Sequence, residues 1–147
     1  MTEEIFAKVF FYYDTDGGSR AESVWAVEVS PLSYEIRNCP WHVSNITFGD
    51  VVECYRDDEG ILIAARLVKD GGHRNILVEF TPKDEEFAEQ FLKELNDLGC
   101  TYECFKKYSL YALNIPPEVQ LGVIIEFLSQ ARTEQKILFE LLKPSSL

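Results

Sequence analysis

The chain has 147 residues, of which 46% are hydrophobic and 13% aromatic, so it can bury a core and is not intrinsically disordered. Its 25 acidic and 14 basic residues give a net charge of −11. That charge disfavours nucleic acid and anionic membranes as partners and suits a protein partner with a basic surface, although acidity that serves solubility alone is the simpler alternative. No stretch approaches the ~20 apolar residues that span a bilayer, and the acidic start Met1-Thr2-Glu3-Glu4 is unlike a signal peptide, so we expect a cytoplasmic protein.

The first half of the chain alternates short apolar runs with turn residues. The pattern predicts strands over residues 5–13, 23–29, 34–37, 51–55 and 61–68. Several short strands at close spacing indicate a small antiparallel β-barrel or a strongly curved sheet. In the second strand Trp25 shares one face with Val27 and Val29, and we interpret that face as core.

The second half changes to a mixed pattern of strands and helices. Strands are predicted over residues 74–80, 101–105, 109–115 and 136–142, with a turn at Lys106-Lys107. The first helix is predicted to start at Thr81-Pro82, with Thr81 as N-cap, and to end at Gly99. Its apolar stripe consists of Phe87, Ala88, Phe91, Leu92, Leu95 and Leu98.

A second helix is predicted to open at Pro116-Pro117-Glu118 and to end at residues 133–135. Its predicted buried face consists of Val119, Val123, Phe127 and Leu128. The resulting order β-α-β-β-α-β is the ferredoxin-like order.

The fold class is therefore predicted to be α+β, with two regions. Residues 1–72 are the antiparallel β region, and residues 73–147 are the ferredoxin-like βαββαβ region. No polar linker separates them, so we expect the second region to be closely packed on the first. The sequence leaves open whether the two halves share one core.

Metal ligands are scarce in the sequence. Cys39-x-x-His42 with Cys54 or His73 offers thiolate and imidazole groups, but the spacing matches no complete zinc site. The sequence has four cysteines and no C-x-x-C pair. The cysteines are Cys39, Cys54, Cys100 and Cys104. We expect free thiols packed as small hydrophobic groups, with no metal and no cofactor.

A catalytic site is also only weakly indicated. His73 follows two glycines, and imidazole is the side chain most often used as a general acid or base, so His73 could act with Asp50 or Cys54 if the barrel brings their turns together. No established catalytic motif is present. The favoured interpretation is a histidine that fixes a neighbouring loop, so we predict no catalytic residue and no enzyme.

A recognition surface is the third possibility. Trp41, His42 and Phe48 lie between strands, where large aromatic side chains often anchor interfaces, although Trp41 could equally plug the end of the barrel. The acidic run Asp57-Asp58-Glu59 could receive a basic partner or simply be a solvated hairpin tip. The predicted binding residues are Trp41, His42, Phe48, Asp50, Asp57, Asp58, Glu59 and His73.

Several fragments, taken together in their order and spacing, resemble one bacterial family. They are Ser23-Val24-Trp25-Ala26-Val27, residues 34–40, Gly49-Asp50-Val51-Val52-Glu53, Gly72-His73-Arg74, Leu98-Gly99-Cys100-x-Tyr102-Glu103 and Ala112-x-Asn114-Ile115-Pro116-Pro117. Over roughly residues 23–144 the chain resembles the domain of unknown function 4265 family. It departs from that family's usual apolar pair after Pro40, where it has Trp41-His42.

The resemblance implies no activity, because the family is named for having none assigned, and no catalytic residue is carried over. Small acidic members of such families resemble immunity proteins, which bind a toxin inside the cell that produces it. We therefore expect a cytoplasmic immunity protein that occludes a cognate polymorphic toxin. The alternatives are a small-ligand module or enzyme with a cleft near His73, and an assembly subunit that pairs through the C-terminal sheet.

Overall fold

A computed structural model describes residues 4–81, 84–105 and 110–143 of the chain. Within these residues nine strands and two helices give a mixed α+β fold that is mostly strand. In chain order they are β1 (Phe6–Thr15), β2 (Gly18–Ser30), β3 (Ser33–Ile36), β4 (Val51–Arg56), β5 (Leu62–Lys69), β6 (Arg74–Phe80), α1 (Glu85–Asp97), β7 (Thr101–Phe105), β8 (Leu110–Ile115), α2 (Leu121–Thr133) and β9 (Ile137–Leu141). The described residues form two compact units, 4–73 and 74–143.

The first unit is a closed barrel in which β1 to β5 follow one another around the wall. Successive strands pair antiparallel, as predicted. The barrel closes through a short parallel pairing of β1 with β5, at Val9↔Leu62 and Phe10↔Ile63. The sequence did not indicate this seam, because parallel pairing of distant strands leaves no local pattern.

The barrel interior is filled by alternate residues of its strands. The buried cluster consists of Val9, Phe11, Val24, Ala26, Tyr34, Ile36, Val52, Cys54 and Leu62. The prediction that Trp25 and Val29 belong to the core is wrong, because they are 46% and 52% exposed on the outer face of β2. A barrel of five strands has a narrow interior, so β2 turns its small side chains inward.

The second unit is a four-stranded antiparallel sheet in the order β7-β8-β6-β9, with both described helices packed on one face. Aromatic rings join the layers. The Phe80 ring meets Phe91 edge-on at 5.8 Å, and Phe91 stacks on Phe127 at 4.8 Å, which connects β6 to α1 and α1 to α2. Three residues of the apolar stripe predicted for α1, Phe91, Leu92 and Leu95, are buried, and Phe87 and Ala88 are partly buried against the same core. The prediction is wrong for Leu98, which is 41% exposed at the end of the helix.

The predicted N-cap of α1 is wrong. Asp84 caps the helix, because its side chain accepts a hydrogen bond from the Phe87 N–H at 3.1 Å. The Thr81 hydroxyl instead donates to the Gln135 carbonyl oxygen at 2.8 Å. Gly99 has a φ of +105°, which suits its predicted place just after the helix. Pro82 and the predicted turn Lys106-Lys107 lie outside the described residues.

The second helix starts later than predicted and has a different buried face. It begins at Leu121, after Gln120 as N-cap, and not at residues 116–118. Its buried residues are Ile124, Leu128 and Ala131, whereas Val123 is 46% exposed. Apolar residues cover a broad arc of this helix, opposite Glu126, Ser129 and Gln130. The buried residues lie in the middle of that arc, whereas Val123 lies at its edge.

Candidate functional site

Asp50 joins two loops of the barrel unit. It lies just before β4 and is fully buried. Each of its two carboxylate oxygens accepts a hydrogen bond from a backbone N–H group. Oδ2 accepts from the Thr47 N–H at 2.9 Å, and Oδ1 accepts from the Gly71 N–H at 2.8 Å. The carboxylate therefore binds its own loop to the loop that leads into β6.

His73 lies on the same pair of loops. Its ring is tilted against Phe48, with ring centroids 5.2 Å apart. Gly49 has a φ of +89°, and a Cβ at this position would come within 2.5 Å of the His73 ring. A Cβ at Gly71 would overlap the Gly49 carbonyl oxygen, so the two loops meet backbone to backbone. The structure thus brings the turns of Asp50 and His73 together.

The chemistry of this pair favours a structural role. A general base needs a lone pair that can reach a substrate proton, but the Asp50 carboxylate is buried and bonded at both oxygens. His73 is half-buried among Phe48 and the two glycine-containing loops. The pair is best described as a rigid corner of the barrel.

The Pro40-containing loop is held by Glu22 of β2. The Glu22 carboxylate accepts the N–H groups of Trp41, His42 and Val43, at 2.6, 2.9 and 3.3 Å. Three successive amides around one carboxylate form a backbone nest for an anion, here filled from within the chain. The exposed His42 ring stacks on Tyr13 at 5.3 Å, and Trp41 is half-buried. Nothing in the sequence pattern of β2 singles out Glu22 for this contact.

The acidic hairpin tip divides into one structural and two exposed residues. The Asp57 carboxylate accepts from the N–H groups of Glu59 and Ile61, both at 2.9 Å, and so closes the β4–β5 turn. Asp58 and Glu59 are exposed. Their carboxylates stand at the surface, where a basic partner can approach.

Thiols inside the two units are unsuited to nucleophilic or metal chemistry. Burial raises the pKa of Cys54 to about 11, and burial likewise raises the pKa of Cys100 to about 11. Both groups stay protonated at neutral pH, whereas thiolate is the reactive and metal-binding form. Cys104 departs from the prediction of packed thiols because it is exposed. Among the described residues no cluster of histidine, cysteine and carboxylate side chains could hold a metal ion.

A group of exposed aromatic side chains lies on the outer face of β1 and β2 in the barrel unit. Phe6 and Tyr12 of β1 are 50% and 62% exposed, and Trp25 and Val29 of β2 are 46% and 52% exposed. The register pairs Lys8 with Trp25, and the Lys8 ammonium lies 5.3 Å from the centre of the Trp25 ring. We call the outer side chains Phe6, Tyr12, Trp25 and Val29 the outer aromatic surface. The register of the β1–β2 hairpin could have revealed this surface, because it places Trp25 opposite Lys8.

A family model described as Domain of unknown function (DUF4265) matches residues 22–139. The chain belongs to this family. The DUF4265 match begins at Glu22 and includes the loop that Glu22 holds, the Asp50–His73 corner and Trp25. It leaves out β1, which supplies Phe6 and Tyr12. No functionally curated protein matches the sequence.

One solved structure shares the fold of the DUF4265 chain. It is described as a novel crystal structure of a hypothetical protein from Neisseria gonorrhoeae, is 15% identical, and matches with a TM-score of 0.79. The match covers 99% of this chain and 100% of that chain. At this identity the likeness shows the fold alone. Among the described residues, neither helix is long and apolar enough to cross a membrane.

Proposed function

We propose that this DUF4265 protein is a protein-binding protein that docks its partner on the outer aromatic surface. The observation that carries the proposal is the exposure of Phe6, Tyr12, Trp25 and Val29 on two paired strands. Aromatic side chains that lie half outside a rigid sheet lose little conformational entropy on binding and are frequent anchors of interfaces. An exposed apolar group of this kind on a soluble protein commonly marks a contact surface.

The partner we propose is a toxin with a basic surface, which would make this chain a bacterial, cytoplasmic immunity protein. The net charge of −11 supports this proposal, because long-range attraction speeds the encounter with a basic domain. The exposed carboxylates of Asp58 and Glu59 add to that field. An inhibitor of this type acts by covering the active site of the toxin and needs no catalytic group of its own.

A small-ligand or enzymatic role near His73 is the second candidate, and the geometry favours it less. Asp50 is fully buried and holds two backbone N–H groups, so a ligand could reach its carboxylate only if the two loops separated and these hydrogen bonds broke. Each bond to a charged acceptor contributes about 1.5–3 kcal/mol, so this rearrangement is costly.

We also propose that the second unit is ferredoxin-like. In support, β6 to β9 numbered one to four stand in the order 2-3-1-4 across an antiparallel sheet, with both described helices on one face. The alternation of strands and helices along the chain agrees with the split βαβ motif.

The direct test is co-purification with the product of the adjacent gene, together with survival of cells that express that product. We compare the wild type with Trp25→Glu, which places a charge in the outer aromatic surface, and with Val123→Glu as the control. Both side chains are 46% exposed, and Val123 lies on α2 in the other unit. The proposal expects Trp25→Glu to weaken the complex at least about tenfold, as loss of an aromatic anchor does, and Val123→Glu to leave it unchanged. Absence of both a complex and protection by the wild-type protein would refute the proposal.

A further inference from the structure

An open groove in the second unit lies between α1 and β7. It has a volume of about 940 Å³ and includes side chains from β6, α1, β7 and β8. β7 is the end strand of its sheet in the described residues, so the groove follows an outer margin of the sheet. Its volume far exceeds that of one side-chain head group, so it has room for a short stretch of chain. We call it the α1–β7 groove.

The floor of the groove is aromatic. The Tyr111 ring meets Phe80 edge-on at 5.4 Å and Tyr102 at 5.8 Å, which fixes the three rings relative to one another. Tyr102 is 42% exposed. Burial, followed by a hydrogen bond with Cys104, raises the pKa of the Tyr111 hydroxyl, so this ring stays neutral. The floor therefore offers ring faces and hydroxyl groups without a charge of its own.

The helical wall of the groove is acidic. Asp84, Glu85 and Glu89 line it, and Lys93 is the basic residue among the described lining. Glu85 and Glu89 are four residues apart on α1, so their carboxylates extend from the same side of the helix one turn apart. Both are exposed and can turn toward a bound cation. The described lining thus has an excess of two negative charges beside an aromatic floor.

We propose that the α1–β7 groove binds an arginine side chain carried by an extended segment of a protein partner. A guanidinium is planar, stacks on aromatic rings and donates two hydrogen bonds to one carboxylate, so it uses both chemistries of the groove at once. The ammonium of a lysine is a compact charge that cannot stack flat on a ring, so it would make less contact with the aromatic floor. The volume of the groove leaves room for the residues that flank the arginine in its chain.

This inference goes beyond the proposed function. The outer aromatic surface lies on residues 6–29 of the barrel unit, whereas the described lining of the groove runs from Phe80 to Tyr111 in the second unit. The partner in the groove need not be the partner on the barrel. Failure of one proposal therefore leaves the other unaffected.

The experiment is a titration of the full chain with a short peptide in which arginine alternates with serine. The reference probe is the same peptide with citrulline, which keeps the shape of arginine and lacks its charge. Ring signals of Tyr102 and Tyr111 in nuclear magnetic resonance spectra report the groove. Tryptophan fluorescence reports the barrel unit, because both tryptophans, Trp25 and Trp41, lie there.

The decisive variant is Glu85→Gln with Glu89→Gln, and its control is Glu94→Gln with Glu126→Gln. The control makes the same change in charge at exposed helical positions that do not line the groove. We expect the arginine peptide to shift both tyrosine signals and the citrulline peptide to shift neither. The groove variant should bind about tenfold more weakly, the combined effect of two exposed ion pairs, and the control less than about twofold more weakly.

Three results would overturn the proposal. Equal losses in the groove variant and the control would mean that only the overall charge attracts the peptide. Unchanged binding by the groove variant would place the peptide elsewhere. Binding of free spermidine with no binding of the arginine peptide would assign the groove to a small polyamine. Tyr102→Ser, which removes an exposed ring, should weaken the peptide several-fold if the ring face contributes.

Discussion

Replacement of Asp50 by alanine tests whether the Asp50–His73 corner is structural. The substitution removes two hydrogen bonds to a buried carboxylate and leaves the N–H groups of Thr47 and Gly71 without that acceptor. Hydrogen bonds to a charged group contribute about 1.5–3 kcal/mol each, so we expect a loss of about 3–5 kcal/mol in the free energy of unfolding. That is a large part of the roughly 5–15 kcal/mol that stabilises an ordinary domain.

Asp50→Asn should fall between the alanine variant and the wild type. Its amide oxygen can accept one of the two N–H groups, while its amino group faces the other donor, so we expect a loss of about 2 kcal/mol. Asp58→Ala is the control, because Asp58 is exposed at a hairpin tip and such changes stay within about 0.5 kcal/mol.

The assay is urea denaturation followed by two signals. Fluorescence of Trp25 and Trp41 reports the barrel unit, and the helical circular dichroism reports α1 and α2 of the second unit. The urea concentration at the midpoint of the fluorescence change should be highest for the wild type, lower for Asp50→Asn and lowest for Asp50→Ala. An alanine variant within about 0.5 kcal/mol of the wild type would refute the structural role and restore Asp50 as a candidate for ligand chemistry.

Three further predictions concern other contacts. Gly71→Ala should destabilise the barrel unit by several kcal/mol, because the added Cβ would overlap the carbonyl oxygen of Gly49. Gly17→Ala is the control and should change stability little, because its Cβ would have no neighbour closer than 3.9 Å. Urea denaturation measures the stability of both variants. Glu22→Ala should raise the hydrogen-exchange rates of the three amides that the carboxylate holds, while amides of the second unit keep theirs. Iodoacetamide at about pH 8 should label Cys104 first in the folded protein, since the other three thiols are buried and burial raises the pKa of two of them to about 11. Fast labelling that persists in Cys104→Ser would contradict that assignment.

Much of the candidate site follows from local sequence. The turn chemistry of Gly49-Asp50 and Gly71-Gly72-His73 indicated two tight turns, and glycine is required there because the loops touch backbone to backbone. The sequence did not reveal that Glu22 holds the loop at residues 41–43. Some twenty residues separate the carboxylate from its three donors, and no short-range pattern encodes such a contact.

The sequence by itself determined the type and order of the elements. The spacing of hydrophobic residues and the positions of turn residues predicted β6 and β7 with their observed bounds. The same pattern indicated the change from successive strands to alternating strands and helices. These features depend on neighbours within a few residues. Sequence also placed Gly99 after the first helix, where its φ of +105° excludes most other residues.

The tertiary structure alone decided which face of β2 is buried and how much of the apolar side of α2 is covered. Both faces of β2 are apolar, and only closure into a narrow barrel turns Val24 and Ala26 inward and leaves Trp25 exposed. The apolar arc of the second helix is broad, and the sheet beneath it covers the middle of that arc at Ile124 and leaves its edge at Val123 exposed. Where hydrophobicity does not distinguish two faces, only the partner that packs against one of them can, and that partner is distant in sequence.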